Sequence, residues 1–235
     1  MSQETIAQAL GAEFQRAREL DAPVNQRLAL YSGAVRKHFA AYAEAFDNLV
    51  TRLSLNSAGA TAPDIGDRMP PFLLPDDQGN LTSLDDLCER GPVAITFLRG
   101  HWCPYCRIYA YMLAQVQERA SSIGAQIVAI SPELERYTRQ QKAEAQAGFK
   151  VLSDINNGYA LSLNLAIWIG DEMQKLLTDY GRDLADYQGT GSWFVPIPAT
   201  YIVSPDATIK ARFVDPDYSR RMDIEELLAA LANAR

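Results

Sequence analysis

The sequence predicts an α/β chain, a central mixed sheet with flanking helices, preceded by an N-terminal helical extension. Three observations lead there. Two short apolar runs rich in β-branched residues, VAITFL at 93–98 and QIVAI at 126–130, have the length and composition of strands buried on both faces. Helical patterns separate these runs and a shorter one at 150–153. Such alternation builds a sheet covered by helices on both sides, its parallel connections crossing over right-handedly. Before them, over the first 55 or so residues, apolar positions such as Leu28, Tyr31, Val35, Tyr42, Phe46 and Leu49 recur at the three-, four- and seven-residue spacings of amphipathic helices.

The elements follow in order. Asp21-Ala22-Pro23 supplies a cap and a helix-starting proline, so the extension reads as a short helix, a break, and a long helix of about thirty residues. Residues 54–68 are small, polar and dotted with Gly and Pro, the composition of a linker. This divides the chain into an extension at 1–58 and a sheet domain at 59–235. Residues 70–74 and 81–84 flank Asp-Asp-Gln-Gly-Asn as a short hairpin, and 84–87 begin a helical turn. A helix runs from 104 to 122. After the second strand, Ser131-Pro132-Glu133 opens another helix with a cap and a proline at its first position. A long excursion then separates the third strand from a hairpin at 200–203 and 209–214, and a helix over 223–231 closes the chain.

Composition excludes several functions. The net charge is −7, and the longest basic cluster is the pair Arg220 and Arg221, so neither nucleic acid nor an anionic membrane surface is an expected partner. No apolar run approaches the roughly 18 residues of a membrane span. The opening residues lack the basic and apolar regions of a signal peptide, so the expected compartment is the cytoplasm. Three cysteines, Cys88, Cys103 and Cys106, are too few for a disulfide scaffold. In a reducing compartment, a pair two residues apart reads instead as redox or metal chemistry.

The segment that carries chemistry is Arg99-Gly100-His101-Trp102-Cys103-Pro104-Tyr105-Cys106-Arg107, where a buried strand gives way to a helix. Ligands of open α/β sheets bind at the carboxyl ends of strands. A helix N-terminus offers free N–H groups and a positive dipole end, which favour a thiolate at Cys103. Residues i and i+3 of a first helical turn lie about 5 Å apart, within reach of a disulfide, and Pro104 sits where its missing N–H costs nothing. The expectation is an exposed, attacking Cys103 and a resolving Cys106 one turn further in, with Arg99 and Arg107 adding positive charge. A zinc reading adds His101 to the two cysteines. Three ligands in six residues with no second cluster fall short of the four that a structural site needs, so neither metal nor cofactor is expected.

The WCPYC segment resembles the active site of thioredoxin-fold oxidoreductases. The wider pattern, PFLLPDDQGN, VAITFLRGHWCPYC and IVAIS followed by GSWFVPIPATYIVSPDATIKARFVDPDYSRR, is similar to peroxiredoxin-like proteins of the alkyl hydroperoxide reductase and thiol-specific antioxidant group, over about residues 60–235. The resemblance implies a thioredoxin-like fold. It also implies a cis-proline loop at Ile197-Pro198-Ala199-Thr200, with Pro198 beside the Cys103 sulfur. Peroxiredoxins carry Thr or Ser three residues before the attacking cysteine and Pro seven before. Counted from Cys103, those positions hold Gly100 and Thr96. The family's arginine falls near Pro198, where none stands, leaving Arg99, Arg220 or Arg221 to substitute.

Two activities stay open. In the first, a thiol peroxidase, Cys103 reduces a hydroperoxide through a sulfenic acid resolved by Cys106. In the second, a dithiol–disulfide oxidoreductase, the pair exchanges with a protein disulfide. The resemblance favours the first; the missing Thr and Arg favour the second. A non-enzymatic redox sensor is a third reading. An external thiol of thioredoxin, glutaredoxin or glutathione type is the expected reductant. Trp102, Pro104, Tyr105 and Trp193 are candidate substrate contacts. Trp168 and Cys88 read as packing residues, His38 as a surface or interface residue, and Asp215, Asp217, Tyr218 and Arg221 as an ion-paired turn. His101 either tunes Cys103 or fills the turn. The N-terminal helices either pack back on the redox domain or join two copies in a homodimer.

Overall fold

A computed structural model describes residues 3–234. The extension folds as α1 (Gln3–Glu19), α2 (Val24–His38) and α3 (Ala40–Leu55). The single long helix expected after Pro23 is therefore two. At Phe39 the backbone leaves the helical region (φ −140°, ψ 64°). The ring packs against Tyr42 and Tyr180, with centroids 5.3 and 4.1 Å away. Periodicity continues across such a break, which is why the pattern concealed it.

The expected hairpin is β1 (Leu73–Pro75) with β2 (Leu81–Ser83), followed by α4 (Leu84–Cys88), whose start is held by a reciprocal capping box between Ser83 and Asp86. The buried runs become β3 (Val93–Phe97), β4 (Gln126–Ser131) and β5 (Lys150–Ser153), with α5 (Pro104–Ser122) and α6 (Glu135–Ala145) between them. The helix expected to open at Pro132 instead opens at Glu135. Ser131 is still strand, and the carboxyl of Glu133 turns inward to accept the His101 N–H at 2.7 Å.

The excursion contains a 3₁₀ turn (Ile155–Asn157), α7 (Gly158–Ser162), β6 (Ala166–Trp168), α8 (Asp171–Asp179), α9 (Leu184–Gln188) and β7 (Phe194–Pro196), with β6 and β7 paired antiparallel. The closing hairpin is β8 (Ala199–Val203) with β9 (Ile209–Val214), and α10 (Ile224–Asn233) ends the fold behind an Asp223 cap.

The main sheet has the order β5-β4-β3-β8-β9, parallel in its first three strands and antiparallel in the last two. Successive side chains of a strand face opposite sides, and the sheet divides the core accordingly. Val93, Ile95, Phe97, Val128, Ile130 and Tyr201 join one apolar layer. Ala94, Ile127, Ala129, Val151 and Ile202 join the other, together with α5, α10 and the N-terminal extension. Phe14, Leu28, Tyr31, Phe46 and Leu49 of the extension belong to the same cluster as Trp102, Cys103, Tyr105 and Cys106. Each large apolar side chain buried there contributes roughly 1.5–3 kcal/mol. The extension packs back on the face of the sheet that carries Cys103 and Cys106. Among the described residues, no helix is long and apolar enough to cross a membrane.

Candidate active site

Strand β3 ends at Phe97, and α5 begins at Pro104, its first helical residue, with Cys103 as the residue that caps it. The intervening loop carries Arg99 and leaves room at Gly100 for the Glu133 carboxyl that follows β4. Gly100 makes this possible. Its φ is +134°, and a Cβ there would lie 2.4 Å from Glu133 Oε1, so no other residue fits.

Both sulfurs are buried: Cys103 is 1% exposed and Cys106 is 0% exposed. This corrects the expectation of an exposed Cys103, because α1–α3 cover the motif. All three cysteines are free, and Cys88 packs in the opposite apolar layer. Cys106 Sγ accepts the backbone N–H of Arg99 at 3.2 Å and the Arg221 Nη2 at 3.3 Å. Burial works against charge on either sulfur. At Cys106 it is overcome by the hydrogen bond from the Cys103 thiol, the Arg221 guanidinium, the Arg99 N–H and the Arg99 guanidinium, so this thiol falls below its ordinary value. At Cys103, burial and the neighbouring sulfur outweigh the two arginines and push the thiol well up. The donors gather on one sulfur of the pair and favour negative charge at Cys106 over Cys103, the reverse of the sequence expectation.

Arg99 is 1% exposed. Its guanidinium lies 3.8 Å from the Tyr218 ring centroid and 4.9 Å from that of Trp102, and its three side-chain nitrogens make no hydrogen bond. The aromatic faces and the charge on the sulfurs stabilise the buried cation. Trp102 in turn donates its indole N–H to the Arg99 carbonyl at 2.9 Å.

Of the three arginines considered as substitutes, Arg221 is the one whose guanidinium donates to a cysteine sulfur. Its Nη1 donates to the Tyr218 and Arg220 carbonyls at 2.7 and 2.6 Å, which aims Nη2 at Cys106. The expected ion-paired turn is thus divided. Arg220 pairs with Asp215 at 2.9 Å and Asp217 accepts from Ser219, whereas Tyr218 and Arg221 point into the site.

His101 is tied to α6: its Nε2 lies 2.7 Å from Glu144 Oε2, so it serves the turn rather than a sulfur. Arg107 makes a two-pronged contact with the same carboxylate (Nη2–Oε1 2.6 Å, Nε–Oε2 2.8 Å), and Arg18 of α1 reaches it at 3.8 Å. Burial would raise the Glu144 carboxyl, but the His101 and Arg107 hydrogen bonds and charges lower it to about 2. Among the described residues, no group of three or more His, Cys, Asp or Glu is placed to hold a metal ion.

Pro198 directly precedes β8. Ala199 pairs with Phe97, which sets Pro198 level with Leu98, and its carbonyl accepts the Asp215 N–H at 3.3 Å. The cis bond is not there: every described peptide bond is trans. Only two residues join β7 to β8, so the chain runs on extended and no tight turn calls for cis. A cavity of about 310 Å³ opens beside the motif between the extension and α8, lined by Trp102, Pro104 and Tyr105 together with Phe14, Tyr31 and Tyr42. Three of the four expected substrate contacts line it. The fourth, Trp193, does not; it is 5% exposed in the core with φ +53°. Trp168, expected to pack inside, is 40% exposed under the Arg52 guanidinium. Sequence reasoning also missed Asn25 and Glu133. Neither sits in a recognisable motif, and Glu133 was hidden by an apparent helix start.

No curated protein matches this chain by sequence. Among solved structures, the Mycobacterium tuberculosis peroxidoxin BcpB is similar at 19% identity and a TM-score of 0.56, covering 73% of this chain and 97% of that one. Xanthomonas campestris peroxiredoxin Q is similar at 16% identity and a TM-score of 0.52, covering 70% and 92%. A yeast mitochondrial 1-Cys peroxiredoxin, described with glutathione and thioredoxin systems, is similar at 13% identity and a TM-score of 0.53, covering 71% and 73%. At these identities the likeness is one of fold. The AhpC/TSA family model adds a match of sequence over residues 65–212. Since that match extends from the linker into β9 and takes in more than half of the chain, the protein belongs to the AhpC/TSA family.

Proposed function

We propose that this chain reduces hydroperoxides with Cys106 as the attacking thiolate and Cys103 as the resolving thiol. Membership of the AhpC/TSA family and the peroxiredoxin fold support thiol-dependent peroxide reduction. The observation that carries the assignment of roles is the pair of donors on Cys106 Sγ, the Arg99 N–H and the Arg221 guanidinium. Counted from Cys106, the position three before holds Cys103, so a thiol donates to the attacking sulfur where peroxiredoxins place a hydroxyl. The position seven before holds Arg99. Burial of both sulfurs supports a small substrate: a hydroperoxide group can enter where a protein disulfide cannot.

The Cys106 thiolate attacks one oxygen of the O–O bond. An S–O bond forms, the O–O bond breaks, and the alkoxide leaves as an alcohol after taking a proton. The Cys103 sulfur then displaces the sulfenic oxygen as water, closing a disulfide. An external thiol of thioredoxin, glutaredoxin or glutathione type restores the pair in the cytoplasm.

The test treats Cys103→Ser and Cys106→Ser with one equivalent of hydroperoxide and a sulfenic-acid trap. Cys103→Ser should accumulate the adduct on residue 106, and Cys106→Ser should consume no peroxide. An adduct on Cys103 in Cys106→Ser, formed at the wild-type rate, overturns the assignment.

A further inference from the structure

We infer that the proton on Glu133 is linked to the oxidation state of Cys106: its carboxyl stays neutral while Cys106 carries the thiolate and ionises when oxidation removes that charge. The inference rests on the proposed roles of the cysteines for its chemical step, but the linkage itself needs only the buried pair.

Glu133 follows β4, the strand beside β3, and is 1% exposed. Oε2 accepts the His101 N–H at 2.7 Å, with the Ser131 hydroxyl 3.4 Å away. Oε1 has no hydrogen-bond partner and occupies the space that the missing Gly100 side chain leaves. Glu133 makes no ion pair among the described residues. The other titratable groups on the elements around it are accounted for. Arg99 is flanked by Tyr218 and Trp102. Arg221 faces Cys106, and the Cys103 thiol donates to Cys106. His101 and Glu144 bind each other. Asp154 after β5 accepts the Tyr159 and Ala160 N–H groups, both at 2.8 Å.

A buried carboxyl with one strong donor and no cation of its own holds charge poorly, and a second negative charge nearby makes it harder still. Burial pushes Glu133 up, the His101 N–H opposes this, the charge on Cys106 adds to the rise, and the Trp102 N–H and Ser131 hydroxyl oppose it more weakly, leaving it at about 8. Arg99 and Arg221 are both buried. With Cys106 ionised and Glu133 neutral, these four groups carry one net positive charge. Oxidation of Cys106 alone would leave two, and ionisation of Glu133 restores one.

The step balances. As the Cys106 thiolate forms its S–O bond and the O–O bond breaks, the alkoxide takes up the proton that Glu133 sheds, giving sulfenic acid, alcohol and a Glu133 carboxylate. Condensation with the Cys103 thiol releases water. Reduction by an external dithiol, or by two monothiols, returns two electrons and two protons, one to Cys103 and one to Glu133.

The test is a reduced-minus-oxidised infrared difference spectrum of the full chain, using diamide as the thiol oxidant so that peroxide activity is not required. The expected result is a protonated-carboxyl C=O band present in the reduced protein and lost on oxidation. The band should be missing in Glu133→Gln and retained, shifted, in Glu133→Asp. In addition, single-turnover oxidation by hydroperoxide should slow above about pH 8 in the wild type. Glu133→Gln should lose that alkaline limb and react at least about tenfold more slowly at neutral pH. A wild-type spectrum with no carboxyl change overturns the linkage, and it needs no variant to fold. A band that comes and goes with diamide in a protein inert to peroxide upholds the linkage and overturns the peroxidase reading.

Discussion

The side chain of Asn25 and the backbone of Arg221 hold each other through two hydrogen bonds of 3.0 Å, one in each direction. Asn25 is in the first turn of α2, and Arg221 donates to the Cys106 sulfur. The N-terminal extension therefore does more than cover the site: it fixes the segment from which the thiolate-stabilising arginine extends. Asn25→Ala should lower stability by about 1–3 kcal/mol, because it leaves buried backbone groups unpaired. It should also raise the Cys106 titration midpoint, read from thiolate absorbance at increasing pH. An unchanged midpoint in a destabilised variant would limit Asn25 to a structural role.

After the Cys103 hydrogen bond, the Arg221 guanidinium is the next largest influence lowering Cys106. Arg221→Met removes both a donor and a charge from a buried sulfur, so the Cys106 titration should move up by about 1–2 units. The wild-type thiol starts at about 5, so the lost thiolate fraction should slow the reaction with hydroperoxide by at most about twofold at neutral pH but by about 5- to 50-fold at pH 5. Arg221→Lys keeps the charge but not the two backbone contacts of Nη1, and should recover part of the loss. Equal titration curves for Arg221→Met and the wild type would remove the arginine from the mechanism.

Acid should loosen the other side of the motif. Glu144 joins His101 of the active-site loop, Arg107 of α5 and Arg18 of α1. Its folded-state value is lowered to about 2 from an ordinary 4.5. A depressed acid stabilises the fold above its unfolded value and loses that contribution as pH falls toward the folded one. Thermal unfolding should therefore show wild type more stable than Glu144→Gln at pH 7, by about 1–2 kcal/mol after solvent screening. The difference should shrink between pH 4.5 and 2. A gap that stays constant over that interval would show that the carboxylate charge is not what holds the loop.

Much of this architecture is readable along the chain. The apolar runs at β3, β4 and β5 and the Pro104 helix start announce themselves because burial on both faces and helix capping depend on neighbouring residues. The Cys103–Cys106 pair at a strand end is legible for the same reason. Errors arose where a distant contact overrode a local preference. Phe39 breaks a continuous helical period to pack on Tyr180. Ser131-Pro132-Glu133 forgoes a helix start because Glu133 binds the His101 loop.

Sequence by itself determined that two cysteines stand at the head of a helix behind a buried strand, since strand burial, helix initiation and i, i+3 spacing are all local physics. Which sulfur receives the donors that favour ionisation was decided only by tertiary structure. Arg221 lies 115 residues after Cys106, Asn25 lies 196 residues before Arg221, and Glu133 comes in from beyond the end of β4. The charge on a buried sulfur is set by what the fold brings within hydrogen-bonding distance, and no spacing in the sequence encodes that distance.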